Sequence, residues 1–547
     1  MAPKCHRVAV LGAGVGGLVS IKSCLEEGMD VTAYESRPLV GGVWSGMKDK
    51  WNAKGPTMYN SLVSNTSKSM TCFSDFPCPA SYPPFLPHYL FQEYLVKYAE
   101  HFQLLEHIKF NTRVIKVSKT EDHDSTGRWR LKLKTCSPET ATDQPQRGTE
   151  DVDEWEEEFD AVIAATGFYS EAKSPEIPGL STSFTGTVSN ACSFTDASPF
   201  QGKTVLVVGS ANSATDIAVE VSNVAKQVYL SVGDGMCLAG RFNPSNGLPN
   251  DLQLKRAIHA WFQPELATRI LSWVLHKRIN HRMFGLLYTG AELPVVASDE
   301  LQARIMSGKI KIVGHLREFK GHEVTTVDGR VLAAVDNVIN ATGYKRDLSV
   351  LDKSLGLDQE ELNLFKQVFP IYEKHNTLAL VGCIRVNGPM PPTIELQSRL
   401  AAYTFSGRHK LPPFEVMKVD SDRWKAMARR SDGSYRYSFL SIMVYEELAT
   451  EIGVAPHFWQ LFFSGKPRLA LKSLLGPAFP FNYRLIGPGA WEGAESAMDN
   501  ALEENKQALC NRTLPKEPQL RETLNLPASI KVLMMVSICL CLYVYFM

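Results

Sequence analysis

The sequence is short of several things that would narrow its chemistry. Cysteine is sparse, 11 in 547 residues, and no pair has CxxC spacing of the zinc or redox type; Cys72/Cys78 and Cys539/Cys541 do not. That excludes a disulfide framework and fits reduced thiols in a cytosol-facing protein. A charge excess is missing too: Lys+Arg is 58 and Asp+Glu is 58, a net charge of zero. No global basic field exists for nucleic acid, and no acidic solvating character. His101/His107 and His276/His281 are wrongly spaced for a helical i, i+4 pair, so no metal site is expected. The N-terminus runs straight into an apolar strand and carries no signal-peptide pattern. Long apolar runs are lacking until the end. There, sixteen uncharged residues, Val532–Met547, follow Lys531. This is shorter than the roughly 20 residues that span a bilayer comfortably. A C-terminal membrane anchor is still the expectation, because such a tail is poorly kept in water.

What is present is ordinary globular material, 44% hydrophobic and 21% charged, long enough for three or four domain-sized units. Two βαβ patterns organise it. RVAVL (7–11) reads as a strand, GAGVGG (12–17) as a turn opening a helix over 18–27, and DVTAYE (30–35) as the next strand. Gly12 permits the tight turn, Gly14 lets the backbone approach a pyrophosphate, and Gly17 lets the helix pack on the strand. Glu35, 23 positions after Gly12, suits a ribose hydroxyl. Gly41, Gly42, Val43 and Trp44 form a second Gly-rich turn that completes a dinucleotide contact. The second unit has TVLVVG (204–209), a helix over 213–224 and QVYLSV (227–232). Its turn keeps only the first glycine: Gly209, Ser210, Ala211, Asn212, Ser213. Ala211 adds a methyl where backbone would approach phosphate, while Asn212 and Ser213 can cap the helix. FDAVIAATGF (159–168) and VDNVINATGY (335–344) are strands ending in ATG turns. Residues 136–158 read as a polar surface excursion, and 255–292 as a helical segment.

Taken together, GAGVGG, Glu35, GGVW, NTSKSMTCFSDFP (65–77), ATGF, FQGKTVLVVG (200–209), NSATDIAVE (212–220), NATGY, ELQSRLA (395–401), GPGAW (487–491) and the apolar tail resemble the animal flavin-containing monooxygenases over nearly the whole chain. The resemblance implies an α/β protein with two Rossmann-type dinucleotide-binding domains, a helical insertion and a C-terminal hydrophobic helix. The division expected is 1–169 (FAD, first part), 170–343 (NADPH, with an insertion at about 235–295), 344–445 (FAD, return part), 446–531 (membrane-proximal helices) and 532–547 (anchor). It further implies FAD and NADPH as cofactors and a C4a-hydroperoxyflavin that oxidises small lipophilic amines or sulfides with O2. The activity would be of the N,N-dimethylaniline type. The site would be an endoplasmic reticulum membrane with the catalytic domains in the cytosol. No nucleic acid is implied, and a homo-oligomer stays open. Asn65 matches the family's active-site asparagine, with Thr66 and Gln397 lining the same region.

Two departures stand out. In the family's FxGxxxHSxxY/F pattern this chain has Phe184, Gly186, Asn190, Ala191 and Phe194, so the imidazole and hydroxyl are gone. Where the family carries an arginine for the 2′-phosphate, this chain reads Ser231-Val232-Gly233-Asp234-Gly235. An acid at Asp234 favours a free ribose 2′-hydroxyl, unless it points to solvent. The expectations are a relaxed NADPH preference with NADH accepted, and an alternative in which poor nucleotide retention makes the enzyme a peroxide-releasing NAD(P)H oxidase. A non-catalytic FAD-binding relative is the third possibility.

Overall fold

Strands with apolar residues on both faces belong inside a parallel sheet whose two sides are covered. Arg7–Leu11, Ala161–Ala164 and Leu378–Leu380 have that pattern and are buried. The computed structural model describes residues 5–46, 55–136, 153–244, 246–261, 264–288, 295–357, 361–428 and 438–509. In it these strands form one five-stranded sheet, all parallel, in the order Leu378–Leu380, Ala161–Ala164, Arg7–Leu11, Asp30–Tyr34, Ile108–Lys109. Helix α1 (Val15–Glu26) starts three residues earlier than the pattern suggested, taking Gly16 and Gly17 into its first turn. A second five-stranded parallel sheet has the order Ile310–Val313, Gln227–Ser231, Thr204–Val208, Asn337–Asn340, Thr187–Asn190. Its nucleotide-type helix is α2 (Asn212–Val221). The two sheets repeat one plan. The Gly-rich turn leaves the central strand beside the strand that ends in ATG, and ligands bind in the crevice at such a switch point.

The insertion leaves through Cys237–Ala239 and returns through Val295–Ala297, which pair in parallel and close it at its base. Between them lie α3 (Arg256–Trp261) and α4 (Pro264–Arg278). Helix α5 (Pro391–Phe405) packs on α1 and is buried at every position, as expected of a helix at the centre of a large core. Most of its polar residues are bonded, although the Thr393 hydroxyl is buried without a partner. Glu395 pairs with Arg484 at 3.0 Å, and Arg399 donates to the Tyr483 and Pro488 carbonyls. Farther on, α6 (Phe458–Phe463) and α7 (Pro467–Leu475) pack together, and α7 touches α3.

Part of the expected polar excursion is ordered ladder. Glu154–Phe159 is a strand paired antiparallel to Trp129–Thr135, with Lys132–Glu154 at 2.7 Å and Arg130–Glu158 at 3.0 Å across it. Acidic residues here face basic ones on the neighbouring strand, which is why the run is not a free loop. Residues 137–152, and the expected anchor at 532–547, lie outside the described residues. Among the described residues no helix is long and apolar enough to cross a membrane.

Candidate functional site

The first cradle is built of backbone. Gly12 has φ +97°, and a Cβ there would meet the Ala165 carbonyl oxygen at 2.9 Å. A Cβ on Gly17 would lie 1.9 Å from the Gly12 oxygen, so the helix and turn touch directly. Across the gap, Gly42 (φ +57°) comes so near Gly14 that a Cβ on either would meet the other's Cα at 3.0–3.4 Å. The two Gly-rich turns therefore face each other with no side chain between them, and the N-terminus of α1 points into the space. Both the free N–H groups and the dipole there favour phosphate. Glu35 is buried and braces this turn: Oε2 accepts the Ala13 N–H at 2.8 Å, and Oε1 accepts the Arg37 N–H at 3.0 Å. Val43 and Trp44 form the following short turn, with Trp44 edge-on to Phe91 at 4.5 Å. Arg37 donates to the Gly42 carbonyl, while its Nε is buried without a partner.

The second cradle is less open. Gly209 has φ +150°, and there is no room for a side chain, since a Cβ would sit 2.4 Å from the Ala341 oxygen. Ala211 is the N-cap of α2 and makes no side-chain cap bond. Asn212 does not cap either: its Oδ1 accepts the Ala297 N–H at 2.9 Å and ties α2 to the base of the insertion. Ser210 and Ser213 face the same open space.

Both cradles open into one cleft of about 1900 Å3. Gly12, Gly14, Glu35, Gly42, Val43, Trp44, Asn65 and Thr66 line it on one side; Gly209, Ser210, Ala211, Asn212 and Ser213 line it on the other. A dinucleotide fits this arrangement on each side: a backbone-only cradle on the first, a Gly209–Ser213 turn with small side chains on the second, helix N-termini aimed inward, and orphaned polar atoms nearby. The structure brings Asn65 to the middle, where its Oδ1 accepts from Arg241 Nη2 at 2.9 Å; Thr66 shares a 2.7 Å hydroxyl contact with Thr71. Asn190 stands beside Asn340 in register, and both have a buried Oδ1 without a partner. Asn340 lines the cleft and Asn190 does not.

Besides Asn190, three expected residues stand away from the open space. Gly17 is sealed under the turn. Gln397 is fully buried, accepts the Gly382 N–H at 3.0 Å and donates to the Gln367 carbonyl at 3.0 Å, so it holds the cleft wall rather than facing the cleft. Asp234 bonds His315 Nε2 at 2.9 Å, with both side chains more than half exposed. A side chain at 233 would press on this imidazole, whose Cε1 would be 3.1 Å from its Cβ. His315 thus fills the space beside the position where the resemblance implies an arginine.

Spacing gave no sign of four further residues, Tyr59, Asp216, Arg241 and Asp251, because their partners are more than 150 positions away. Tyr59 donates to Asp216 at 2.7 Å, Arg241 reaches Asn65, and Asp251 Oδ2 accepts the Ser67 N–H at 2.6 Å. All four side chains line the cleft. Burial pushes the Asp251 carboxyl up to about 6, and its Oδ1 is buried without a partner.

Comparison with known proteins agrees with this geometry. The family described as FMO-like, flavin-binding monooxygenase-like, matches residues 5–546. Flavin-containing monooxygenase 1 of Rattus norvegicus is 35% identical over 531 residues, covering 95% of this chain and 96% of the relative. Dimethylaniline monooxygenase [N-oxide-forming] 2 of Mus musculus is 33% identical over 522 residues, 93% and 94% of the two chains. Among solved structures, S-allyl-L-cysteine S-oxygenase from Allium sativum shares the fold with a TM-score of 0.61 at 21% identity, covering 92% of this chain and all of that one. Cyclohexanone monooxygenase does so with a TM-score of 0.55 at 14% identity, covering 84% and 98%. With its paired Gly-turn cradles and a match over almost every residue, this chain belongs to the flavin-binding monooxygenase-like family.

Proposed function

We propose that the chain oxygenates small nucleophilic nitrogen or sulfur compounds, with FAD in the first cradle and NADPH in the second. The single observation that carries this reading is the common cleft, into which both cradles open with Asn65 between them. A bound flavin would supply the oxidising chemistry; the protein's part is to bind, orient and exclude water. Glu35 fixes the first turn through Ala13 and Arg37 and would hold a ribose hydroxyl of the bound dinucleotide. Asn65 offers its amide to the flavin edge, and Thr66, held by Thr71, supports that loop. The catalytic group proposed is Asn65 with Thr66; Asn190, expected with them, stands behind the cleft wall beside Asn340 and would act only through it. The domain division given above is adopted with it.

NADH is accepted beside NADPH on this reading, because an acid and an imidazole, not an arginine, stand at the end of the second strand. Stopped-flow reduction of the flavin-loaded protein by each nucleotide, followed by O2 and an aryl methyl sulfide, is the test. Bleaching with both nucleotides and formation of sulfoxide is expected. An NADPH advantage of about a hundredfold, roughly the worth of two charge-assisted hydrogen bonds, would refute the relaxed preference. A yellow protein that neither nucleotide bleaches would refute the enzyme reading.

A second reading, the peroxide-releasing oxidase, is favoured by one observation: the methyl of Ala211 stands at the cap of α2, where phosphate would approach. Peroxide close to one per nucleotide, with sulfide present, would select it.

The chain is further proposed to sit on the endoplasmic reticulum membrane, cytosol-facing, through the tail at 532–547. Supporting this are exposed aromatic side chains on helices that α7 joins. Trp459 and Phe463 on α6 are 64% and 78% exposed, and Trp261 and Trp273 on α3 and α4 are 62% and 63% exposed.

A further inference from the structure

Asn65 ends in an amide with one acceptor atom and one donor group, whereas Arg241 carries donors only. The guanidinium Nη2 stands 2.9 Å from Asn65 Oδ1. The amide must therefore show its oxygen to Arg241 and turn Nδ2 away from it. Nδ2 has no partner among the described residues, and Asn65 lines the cleft.

Arg241 is itself held by other parts of the chain. Its N–H donates to Asp299 Oδ1 at 2.9 Å, and Nη1 lies 3.6 Å from Asp299 Oδ2. Nη2 lies 3.7 Å from Asp216 Oδ1 in α2, and Asp216 Oδ2 accepts from Tyr59 at 2.7 Å. Tyr59 and Asn65 come from the FAD side, Asp216 from the nucleotide side, and Arg241 from the start of the insertion. Its side chain is only 16% exposed, and Nε is buried without a partner, so few other positions are open to it.

We infer that Arg241 is a positioning residue: it fixes the Asn65 amide with Nδ2 toward the cleft, and its contact with Asp216 makes that orientation depend on the nucleotide-side helix being seated against the FAD side. This deepens the monooxygenase reading and rests on it. A donor-only partner is the requirement, so lysine can replace arginine while methionine cannot.

The test uses the full-length, flavin-loaded protein carrying Arg241→Lys, Arg241→Met, Asn65→Ala and the double change Arg241→Met with Asn65→Ala. Peroxide released per NADPH is measured with sulfide present, and NADP+ affinity of the oxidised protein by calorimetry. Arg241→Met is expected to weaken NADP+ by about tenfold, the size of one lost charge-assisted hydrogen bond, and to raise peroxide release. Arg241→Lys should stay within about twofold of the parent in both, on the same scale. Once Asn65 is alanine, removing Arg241 should add nothing further to peroxide release. Equal damage from Lys and Met, additive effects in the double change, or a fully coupled Met variant would each overturn the inference. Should Arg241→Met fail to fold, Asp216→Asn serves instead. It keeps an acceptor for Tyr59 but loses the charge facing Arg241; unchanged peroxide release and NADP+ affinity would overturn the inference equally. Failure of the monooxygenase reading would look different: the parent protein would form no sulfoxide at all.

Discussion

At Asp251 two demands conflict. Its Oδ2 is needed to accept the Ser67 N–H at the base of the Asn65 loop, yet the site gives Oδ1 nothing to bond. Removal from water disfavours the charged form, and burial raises the carboxyl from the ordinary 3.8 to about 6. A carboxyl raised in the folded state binds more protons there than in the unfolded chain between about pH 4 and 6. Stability must then fall as pH rises through that window and stay lower above it. Asp251→Asn keeps an acceptor for Ser67 but cannot ionise. The melting temperature of the variant should gain on the parent between pH 4 and 6, with the gap constant above. A gap that does not change with pH would mean that Asp251 ionises normally. The first Gly-turn makes a second prediction at this scale. Gly17→Ala puts a methyl 1.9 Å from the Gly12 oxygen, where only backbone movement can relieve it. A loss of about 3 kcal/mol, the upper part of the usual range for point changes, is expected. The protein should purify with little flavin, read as the ratio of visible to ultraviolet absorbance.

Elements in this chain are held to one another by buried ion pairs as well as by apolar contact. Helix α3 of the insertion is locked to the C-terminal region by Arg256, whose Nε and Nη2 bond the two Glu446 oxygens at 2.6 and 2.8 Å; Tyr483 donates to the same carboxylate at 2.8 Å. Breaking such a pair from one side leaves a charge without a counterion, at a cost of about 3–5 kcal/mol, whereas replacing both partners by apolar groups costs much less. Glu446→Leu alone should therefore lower the melting temperature more than Glu446→Leu combined with Arg256→Met. The reverse order would show that packing, not charge, fixes the insertion. None of this was legible in the sequence. Arg256 and Glu446 are 190 positions apart, and neither stands in a local pattern. The βαβ units were legible because strand–turn–helix signals are local: period, glycine position and strand length agree within thirty residues. The start of α1 was misplaced because Gly16 and Gly17 look like turn residues, yet close packing on the strand needs them inside the helix. Asn65 and Glu35 could be picked out from the resemblance and from spacing. Arg241, Asp216 and Tyr59 could not, since only the meeting of two units brings them together. Gln397 and Asp234 carried the right chemistry, but their side chains are turned into the core and toward His315.

At the scale of the whole molecule, two surface features bear on the proposed function. One is the cleft between the sheets. The other is made where α6 and α7 lie against the insertion through the α3–α7 contact. On these helices Trp459, Phe463, Trp261 and Trp273 are exposed, and Leu471 on α7 is half exposed one turn after Arg468, while Lys466 and Lys472 pair with Glu495 and Asp499. Scattered exposed apolar residues are normal on any surface, but several tryptophans and phenylalanines flanked by lysine and arginine match a helix face lying in a lipid interface. If the tail at 532–547 were the sole attachment, the aromatic face would contribute nothing to it. If the face also docks, removing the tail leaves measurable binding. Flotation with anionic vesicles separates these cases. A chain ending at residue 531 is expected to keep weak, salt-sensitive vesicle binding, since the basic residues act through a field that salt screens. Trp459→Ser with Phe463→Ser in that shortened chain should abolish it, while flavin content and nucleotide reduction stay at the parent level, because neither residue touches the cleft. Vesicle binding that survives both serines would assign attachment to some other surface.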